Sequence, residues 1–240
     1  MSDERTVLIG IQARSTSTRL PDKCCQPLGS KRLLDHVVDA CQSAARYSNR
    51  FTKRTGVTIE VALLIPMGDP IKKAFGDQCA VIEGPLTDVL ARYAIAQEAR
   101  KADYVCRITG DCPLIPPFII SKHITLATSL GYDYISNVDE RCRVALDGID
   151  CEVMSSRLLD WLDEHAESVE DREHVTLMAR RSPPPWASRA FTAGFFDQSH
   201  LKLSVDTRDD LDAVRRAQLL VTKKIQLAEK LYGRERIHRF

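Results

Sequence analysis

The chain has 240 residues, of which 44% are hydrophobic and 28% are charged, and this balance predicts an ordinary globular protein rather than a disordered or fibrous one. Its 34 lysine and arginine residues are matched by 33 acidic residues, so we expect no nucleic-acid partner, because no strong positive field exists to hold a phosphate backbone. The N-terminus lacks the features of a signal peptide and no apolar run approaches the roughly 20 residues of a membrane helix, which predicts a cytoplasmic protein without a membrane partner.

Strands and helices alternate along the first part of the sequence. The strands are short β-branched or apolar runs, and the helices have apolar residues at a spacing of three to four. This alternation predicts an α/β protein with a mostly parallel sheet covered by helices on both faces. The predicted strands are Thr6–Gln12, Thr58–Pro66, Cys79–Glu83, Tyr104–Ile108 and Tyr132–Asn137, and the predicted helices are Leu33–Ala45, Asp88–Lys101 and Pro116–Leu130.

The pattern is less regular between about residues 137 and 193. Turn residues at Asp147 and Gly148 and a run of three prolines interrupt it, around one predicted helix at Ser155–His165. We expect this segment to leave the sheet as an inserted arm of a single domain, 1–240, and to be a place where two subunits of a homodimer meet. The chain is then predicted to form a strand, Leu201–Val205, and a long helix from Thr207.

A basic loop follows the first predicted strand directly. It carries Arg14, Arg19 and Lys23 together with several hydroxyl side chains. Small side chains let backbone N–H groups approach phosphate oxygens, and cations neutralise the charge of a departing pyrophosphate. Because the loop lacks the glycines of a dinucleotide-binding loop, its composition is compatible both with a polyphosphate site and with an ordinary solvated loop.

Several separated blocks of the sequence have a specific pattern. They are Ile11–Lys23, Asp88–Tyr93, Arg107–Ile115, Ser204–Leu211 and the element Arg172-Glu173-His174-Val175-Thr176. In their order along the chain these blocks resemble the cytidylyltransferases that make CMP-activated sugars, especially the branch of spore-coat polysaccharide biosynthesis. The resemblance implies a Rossmann-like sheet of the nucleotide-diphospho-sugar transferase type with a small inserted arm for dimerisation and acceptor binding.

The resemblance also implies a reaction, which is Mg²⁺-dependent transfer of CMP from CTP to a sugar acid or phosphorylated acceptor in surface polysaccharide biosynthesis, with release of pyrophosphate. Asp111 and Asp206 are the implied metal ligands. Taken singly, Asp111 could be a turn residue and Asp206 a helix cap. Two carboxylates from distant strand ends on one hard cation would suit phosphate chemistry, because Mg²⁺ bridges phosphate oxygens.

Other side chains are assigned by the same resemblance to three parts of a site. The implied catalytic residues are Arg14, Arg19 and Lys23. The nucleotide is expected against Ile11, Gln12, Ala13, Arg14, Asp88, Leu90, Arg92 and Asp111, and the acceptor against Asn137, Asp147, Asp150, Glu152, Glu173 and His174. His174 could equally be a core or interface histidine.

Two alternatives to this function remain open at the level of sequence. One is a glycosyltransferase of similar fold, although the D-x-D metal motif usual in such enzymes is absent after Asp111. The other is a catalytically silent nucleotide-binding subunit. The sequence also departs from the spore-coat branch at Arg32, Leu146 and Leu177, where proline is usual.

Overall fold

A seven-stranded sheet lies at the centre of the structure, a computed structural model that describes residues 4–52, 56–138, 147–192 and 201–232. The strands are β1 (Arg5–Gln12), β2 (Pro27–Leu28), β3 (Lys31–Arg32), β4 (Val57–Pro66), β5 (Ala80–Gly84), β6 (Tyr104–Thr109), β7 (Tyr134–Ser136), β8 (Glu152–Ser155) and β9 (Arg189–Phe191). The sheet order is β5-β4-β1-β6-β8-β7-β9, and β2 pairs with β3 as a separate ribbon. Within this sheet β8 runs antiparallel to both neighbours, while the other pairs are parallel.

Helices cover both faces of the sheet. They are α1 (Leu33–Thr52), α2 (Ile71–Phe75), α3 (Val89–Arg100), α4 (Pro117–Leu130), α5 (Ser156–His165), α6 (Val169–His174), α7 (Leu177–Arg181) and α8 (Arg208–Tyr232). One hydrophobic core joins the sheet to α1 and α4, and a second joins it to α3 and α5. Among the helices that the structure describes, none combines the length and the apolar character needed to cross a bilayer.

β1 is buried on both faces, as expected of a central parallel strand. Val7, Leu8 and Ile9 are all fully buried, and each such side chain stabilises the fold by roughly 1.5 to 3 kcal/mol. Gly10 gives α3 room to approach, because a Cβ atom there would lie 2.7 Å from the ring of Tyr93. The Tyr93 hydroxyl donates a 3.0 Å hydrogen bond to the Gly10 carbonyl, so the helix is fixed against the strand that precedes the basic loop.

The predicted α/β fold with a mostly parallel sheet is confirmed, but two local predictions are wrong. The segment after residue 137 does not simply leave the sheet, since β8 and β9 are both strands of it. The predicted strand Leu201–Val205 forms only an isolated bridge, between Asp147 and Lys202. β8 has no alternating apolar pattern, because it carries a buried charge, Glu152, whose partner Arg107 lies opposite it on β6.

Candidate active site

A pocket of about 510 Å³ lies at the carboxyl ends of β1 and β6. These strands are parallel and Gln12 pairs with Thr109, so the basic loop and the turn at Asp111 leave the sheet at the same edge. Ligands collect at this edge in open α/β sheets. The predicted site residues that line the pocket are Gln12, Ala13, Arg14, Arg19, Lys23, Arg92, Asp111, Glu173, His174 and Asp206.

Asp111 and Asp206 meet at one ammonium group. The Nζ atom of Lys23 lies 3.0 Å from Oδ2 of Asp111 and 3.4 Å from Oδ1 of Asp206. Arg19 contacts the same Asp206 oxygen at 2.9 Å through Nη2. Carboxylates that are 95 positions apart in the sequence, 206 minus 111, are therefore within reach of one cation.

Backbone hydrogen bonds bring these two carboxylates together. The Val205 N–H donates to the Asp111 carbonyl at 2.9 Å, which ties the residue before Asp206 directly to Asp111. The Leu203 N–H donates to the Asp147 carbonyl at 2.7 Å and gives the same segment a second attachment. The position of Asp206 thus depends on main-chain contacts that no side-chain motif encodes.

Gly148 is needed where this segment packs, and we predict that Gly148→Ala disturbs it. Gly148 has φ +103°, and a Cβ atom would lie 2.5 Å from the backbone of both Leu203 and Ser204. Gly131 is a matched control, with φ +70° and no atom within 4 Å of the position that a Cβ atom would take. In urea unfolding, Gly131→Ala should cost about 1 to 2 kcal/mol for its backbone conformation and Gly148→Ala distinctly more. Equal losses would contradict the proposed close packing.

Nearby donors lower the pKa values of two carboxyl groups in this part of the site, Asp111 and Asp210. Burial alone would raise the pKa of Asp111, but the charge and hydrogen bond of Lys23 hold it below its usual value. Asp210, four positions after Asp206 and in the first turn of α8, accepts hydrogen bonds from the Asp206 and Thr207 N–H groups at 3.0 and 2.8 Å. Burial raises the pKa of Asp210, but these bonds and that from Lys202 outweigh it and lower the pKa to about 2. Asp210 therefore ties the start of α8 to Asp206.

The donor set fits a hard divalent cation. Mg²⁺ is usually held by one or two carboxylates and completes its coordination with water and substrate phosphates. Asp111 and Asp206 supply two carboxylates around a position that already accommodates a positive charge, the Lys23 ammonium. Within the described ranges no cluster of three or more His, Cys, Asp or Glu residues could hold a metal alone, so phosphate oxygens would have to complete the shell.

A buried carboxylate holds the basic loop in shape. Asp69, 7% exposed, accepts hydrogen bonds from the N–H groups of Ser15 and Ile71, both at 2.9 Å. The Leu20 N–H donates to the Ser17 hydroxyl at 3.3 Å within the loop. The loop is therefore attached to the start of α2 rather than freely solvated, which favours the interpretation as a built binding loop.

Arg92 is a buried cation that faces the pocket. It is 3% exposed, its Nη1 donates to the Leu64 carbonyl at 3.1 Å, and its Nε has no hydrogen-bond partner. Burial lowers its pKa, and the nearby charge of Arg14 adds to this effect. An unpaired buried donor is costly, so this side chain is suited to a ligand that brings an acceptor oxygen.

The comparison with known proteins identifies the family. A cytidylyltransferase family model matches residues 8–235 of the 240. The chain belongs to the cytidylyltransferase family. This confirms the family and the nucleotidyltransferase activity that the sequence blocks predicted.

This cytidylyltransferase is also similar to individual proteins. It is 32% identical over 213 residues to the spore coat polysaccharide biosynthesis protein SpsF of Bacillus subtilis, which covers 87% of this chain and 85% of that protein. A cytidylyltransferase structure from Leptospira borgpetersenii superposes with a TM-score of 0.78 at 23% identity and covers 94% of both chains. The structure of CMP:2-keto-3-deoxy-manno-octonic acid synthetase with CTP gives a TM-score of 0.65 at 17% identity, over 90% of this chain and 99% of that one. The two structural matches support the fold.

The other predicted site residues of this cytidylyltransferase lie outside the pocket lining. Ile11 and Leu90 are fully buried in the hydrophobic core. The Asp88 side chain accepts from the Ala91 N–H at 2.9 Å, capping α3, and from Arg172 Nε at 2.5 Å. Asn137 accepts from the Cys151 N–H and donates to the Ile149 carbonyl, both at 2.8 Å. Asp147, Asp150 and Glu152 also stand outside the lining.

Two of the three departures from the spore-coat branch, Arg32 and Leu177, lie outside the pocket lining. Arg32 stacks over the Phe75 ring at 3.7 Å and pairs with Asp35 at 2.8 Å. Leu177 is 3% exposed at the start of α7. Leu146 lies outside the described residues. These differences leave the proposed ligands of the cytidylyltransferase intact.

The residues of this site that sequence reasoning missed include Asp69, Arg107 and Lys202. Arg107 could have been found, because it opens the block Arg107–Ile115 that leads to Asp111. Residues two apart on a strand share a face, and Arg107 and Thr109 do line the pocket together. Asp69 and Lys202 had no such signal. Asp69 lies 54 positions from its partner Ser15, and Lys202 precedes the block that contains its partner Asp210, so neither belongs to a motif.

Proposed function

We propose that this cytidylyltransferase transfers the CMP unit of CTP to an acidic small-molecule acceptor, a sugar acid or a phosphorylated compound, and releases pyrophosphate in a Mg²⁺-dependent reaction. The observation that carries this proposal is the convergence of Asp111 and Asp206 on Lys23 at the edge of the pocket. Such an arrangement suits a triphosphate, because it places carboxylate ligands for a hard metal ion and a cationic side chain at one point.

The chain's own residues have separate tasks in this reaction. An acceptor oxygen attacks the α-phosphorus, the bond from that phosphorus to the bridging oxygen breaks, and pyrophosphate leaves toward Arg14, Arg19 and Lys23. Asp111 and Asp206 would hold Mg²⁺, which supplies charge neutralisation at the phosphates when bound. The protein therefore acts mainly by positioning the reactants and by neutralising charge.

An anionic ligand also agrees with the charges of the pocket. The cations Arg14, Arg19, Lys23, Arg92 and Arg107 outnumber the carboxylates Asp111, Glu173 and Asp206 among the lining residues. Glu173 and His174 line the same pocket from the end of α6, and we propose that the acceptor binds against them.

The similarity to a spore coat polysaccharide protein supports a role in surface polysaccharide biosynthesis. We place the enzyme in the cytoplasm, as a homodimer whose two subunits meet through the segment 137–193.

The proposal is tested by measuring pyrophosphate release with CTP, UTP, GTP or ATP against a panel of sugar acids and phosphorylated metabolites, with Mg²⁺ or with a chelator. We expect release only with CTP, an acidic acceptor and metal together. Transfer from a CMP-sugar or UDP-sugar without pyrophosphate would instead identify a glycosyltransferase. CTP binding without turnover on any acceptor would support a silent nucleotide-binding subunit and contradict the proposal.

A further inference from the structure

A network of polar contacts connects two residues that line the pocket, Gln12 and Arg107, to the buried residues Glu152, Tyr134 and Thr176. Arg107 donates from Nε to the Gln12 side chain at 3.1 Å and from Nη1 to Glu152 Oε2. The other oxygen of Glu152 accepts from the Tyr134 hydroxyl at 2.5 Å and from the Thr176 hydroxyl at 2.6 Å. The contacts therefore connect the end of β1 to the segment that follows α6.

Glu152 is poorly placed to touch a substrate. It is 1% exposed and both of its carboxylate oxygens already have protein partners. Burial would raise its pKa, but the charge of Arg107 lowers it, so the carboxylate is ionised. A buried charge of this kind is costly unless it is fully paired, and this pairing is complete. In this structure Glu152 therefore has protein partners where the sequence predicted a contact with the acceptor.

A strained turn lies at the far end of this chain of contacts. Val175 has φ +59° and ψ −61°, and the Thr176 N–H donates to the His174 carbonyl at 2.6 Å. These values describe a γ-turn with positive φ, which is rare and strained, and doubly unusual for a β-branched residue. Strain of this kind persists only where the surroundings fix it, and it clusters at functional sites.

The surroundings of the turn are suited to fix it. Val175 and Thr176 are both fully buried, and the Thr176 hydroxyl is bonded to Glu152. The two residues just before Val175, Glu173 and His174, are exposed and line the pocket. The buried contacts of Val175 and Thr176 therefore determine where Glu173 and His174 lie in the pocket.

We propose that Arg107, Glu152 and Thr176 form a positioning network that holds the turn His174–Thr176, and with it Glu173, at a fixed distance from Gln12. Glu152 is then a positioning residue rather than an acceptor ligand. The role of the turn in transfer rests on the proposed function, whereas the geometry of the network does not. The network sets the distance between the two halves of the pocket, which a transfer reaction requires because small misplacements of reactants are costly.

The chain offers a matched pair of variants to test this. Thr176→Val and Tyr134→Phe each remove one buried hydroxyl that donates to the same oxygen of Glu152, but only residue 176 belongs to the turn. A purely structural role predicts the same response from both variants. The positioning role predicts that only Thr176→Val disturbs the turn. Glu152→Gln would leave Arg107 without its charge partner and is less informative, because it is expected to unfold the protein.

The first readout is made on the protein with and without CTP, so it needs no acceptor. In Thr176→Val we expect faster hydrogen exchange at the amide of residue 176, after correction for intrinsic rates, and shifted NMR signals of the His174 ring. Tyr134→Phe and the rescue variant Thr176→Ser should leave both near wild type. An unchanged turn in Thr176→Val, or an equal change in Tyr134→Phe, would overturn the proposal even if the enzyme transfers CMP as proposed.

The second readout is pyrophosphate release with the acceptor that the wild type uses. Thr176→Val should lose up to about 100-fold in turnover, because misplacement of the reactants by about 1 Å has an effect of this size. The dissociation constant for CTP should change little. Tyr134→Phe should remain within a few fold of wild type. If no acceptor is found, the proposed function fails and the exchange and NMR results still decide the role of the network.

Discussion

Replacing Asp111 or Asp206 by asparagine is expected to abolish metal-dependent pyrophosphate release. Each change keeps the size of the side chain but removes one of the two charges that meet at Lys23. Mg²⁺ binds carboxylates far better than amides, and loss of charge stabilisation at the phosphates typically lowers turnover by about 10²-fold or more. The measurement is the initial rate of pyrophosphate release from CTP over a range of Mg²⁺ concentrations.

The same region of the chain supplies the control for these variants. Asp209 is exposed at the start of α8, three positions from Asp206, and does not line the pocket. Asp209→Asn should therefore have wild-type rates, and circular dichroism should show all three variants folded. Normal release by Asp111→Asn or by Asp206→Asn would refute the metal role of that residue.

Replacing Lys23 by alanine is expected to have the second large effect. The ammonium of Lys23 is the shared partner of both carboxylates, and in the proposed reaction it neutralises the departing pyrophosphate. Turnover should fall by about 10²-fold or more, because the lost charge acts on the departing pyrophosphate. The fold should be retained, since the side chain stands at the pocket edge rather than in a hydrophobic core.

Lys23→Ala also gives a readout that does not depend on catalysis. Removing the ammonium takes away a cation that contacts both carboxylates, so the free protein should bind Mn²⁺ more tightly than the wild type does, as measured by electron paramagnetic resonance. The control is Lys31→Ala, which removes a surface lysine that pairs with Asp39 away from the pocket. Wild-type turnover in Lys23→Ala would remove this residue from the mechanism, and unchanged Mn²⁺ affinity would show that it does not compete for the site.

Much of the fold followed from local sequence patterns. The apolar run of β1 and the three-to-four spacing of α1 predicted the opening strand, loop and helix. The predicted α1 ended seven residues too early, at Ala45 rather than Thr52, because its last turns lack the apolar stripe of the first. The family blocks also predicted that Asp111, Asp206 and Lys23 belong to one site, although not how the chain brings them together.

The sequence by itself determined the alternation of strands and helices, the cationic loop and the family, because these are set by short-range periodicity and by contiguous motifs. Only the tertiary structure decided that β8 lies in the sheet, that Glu152 pairs with Arg107, and that the Val205 N–H binds the Asp111 carbonyl. These contacts join residues 45 and more positions apart, and a buried charge or a main-chain hydrogen bond between such residues leaves no local pattern to detect. The physical reason is that a buried charge or a buried N–H group is stabilised by its partner, and the chain brings the two together only when it folds.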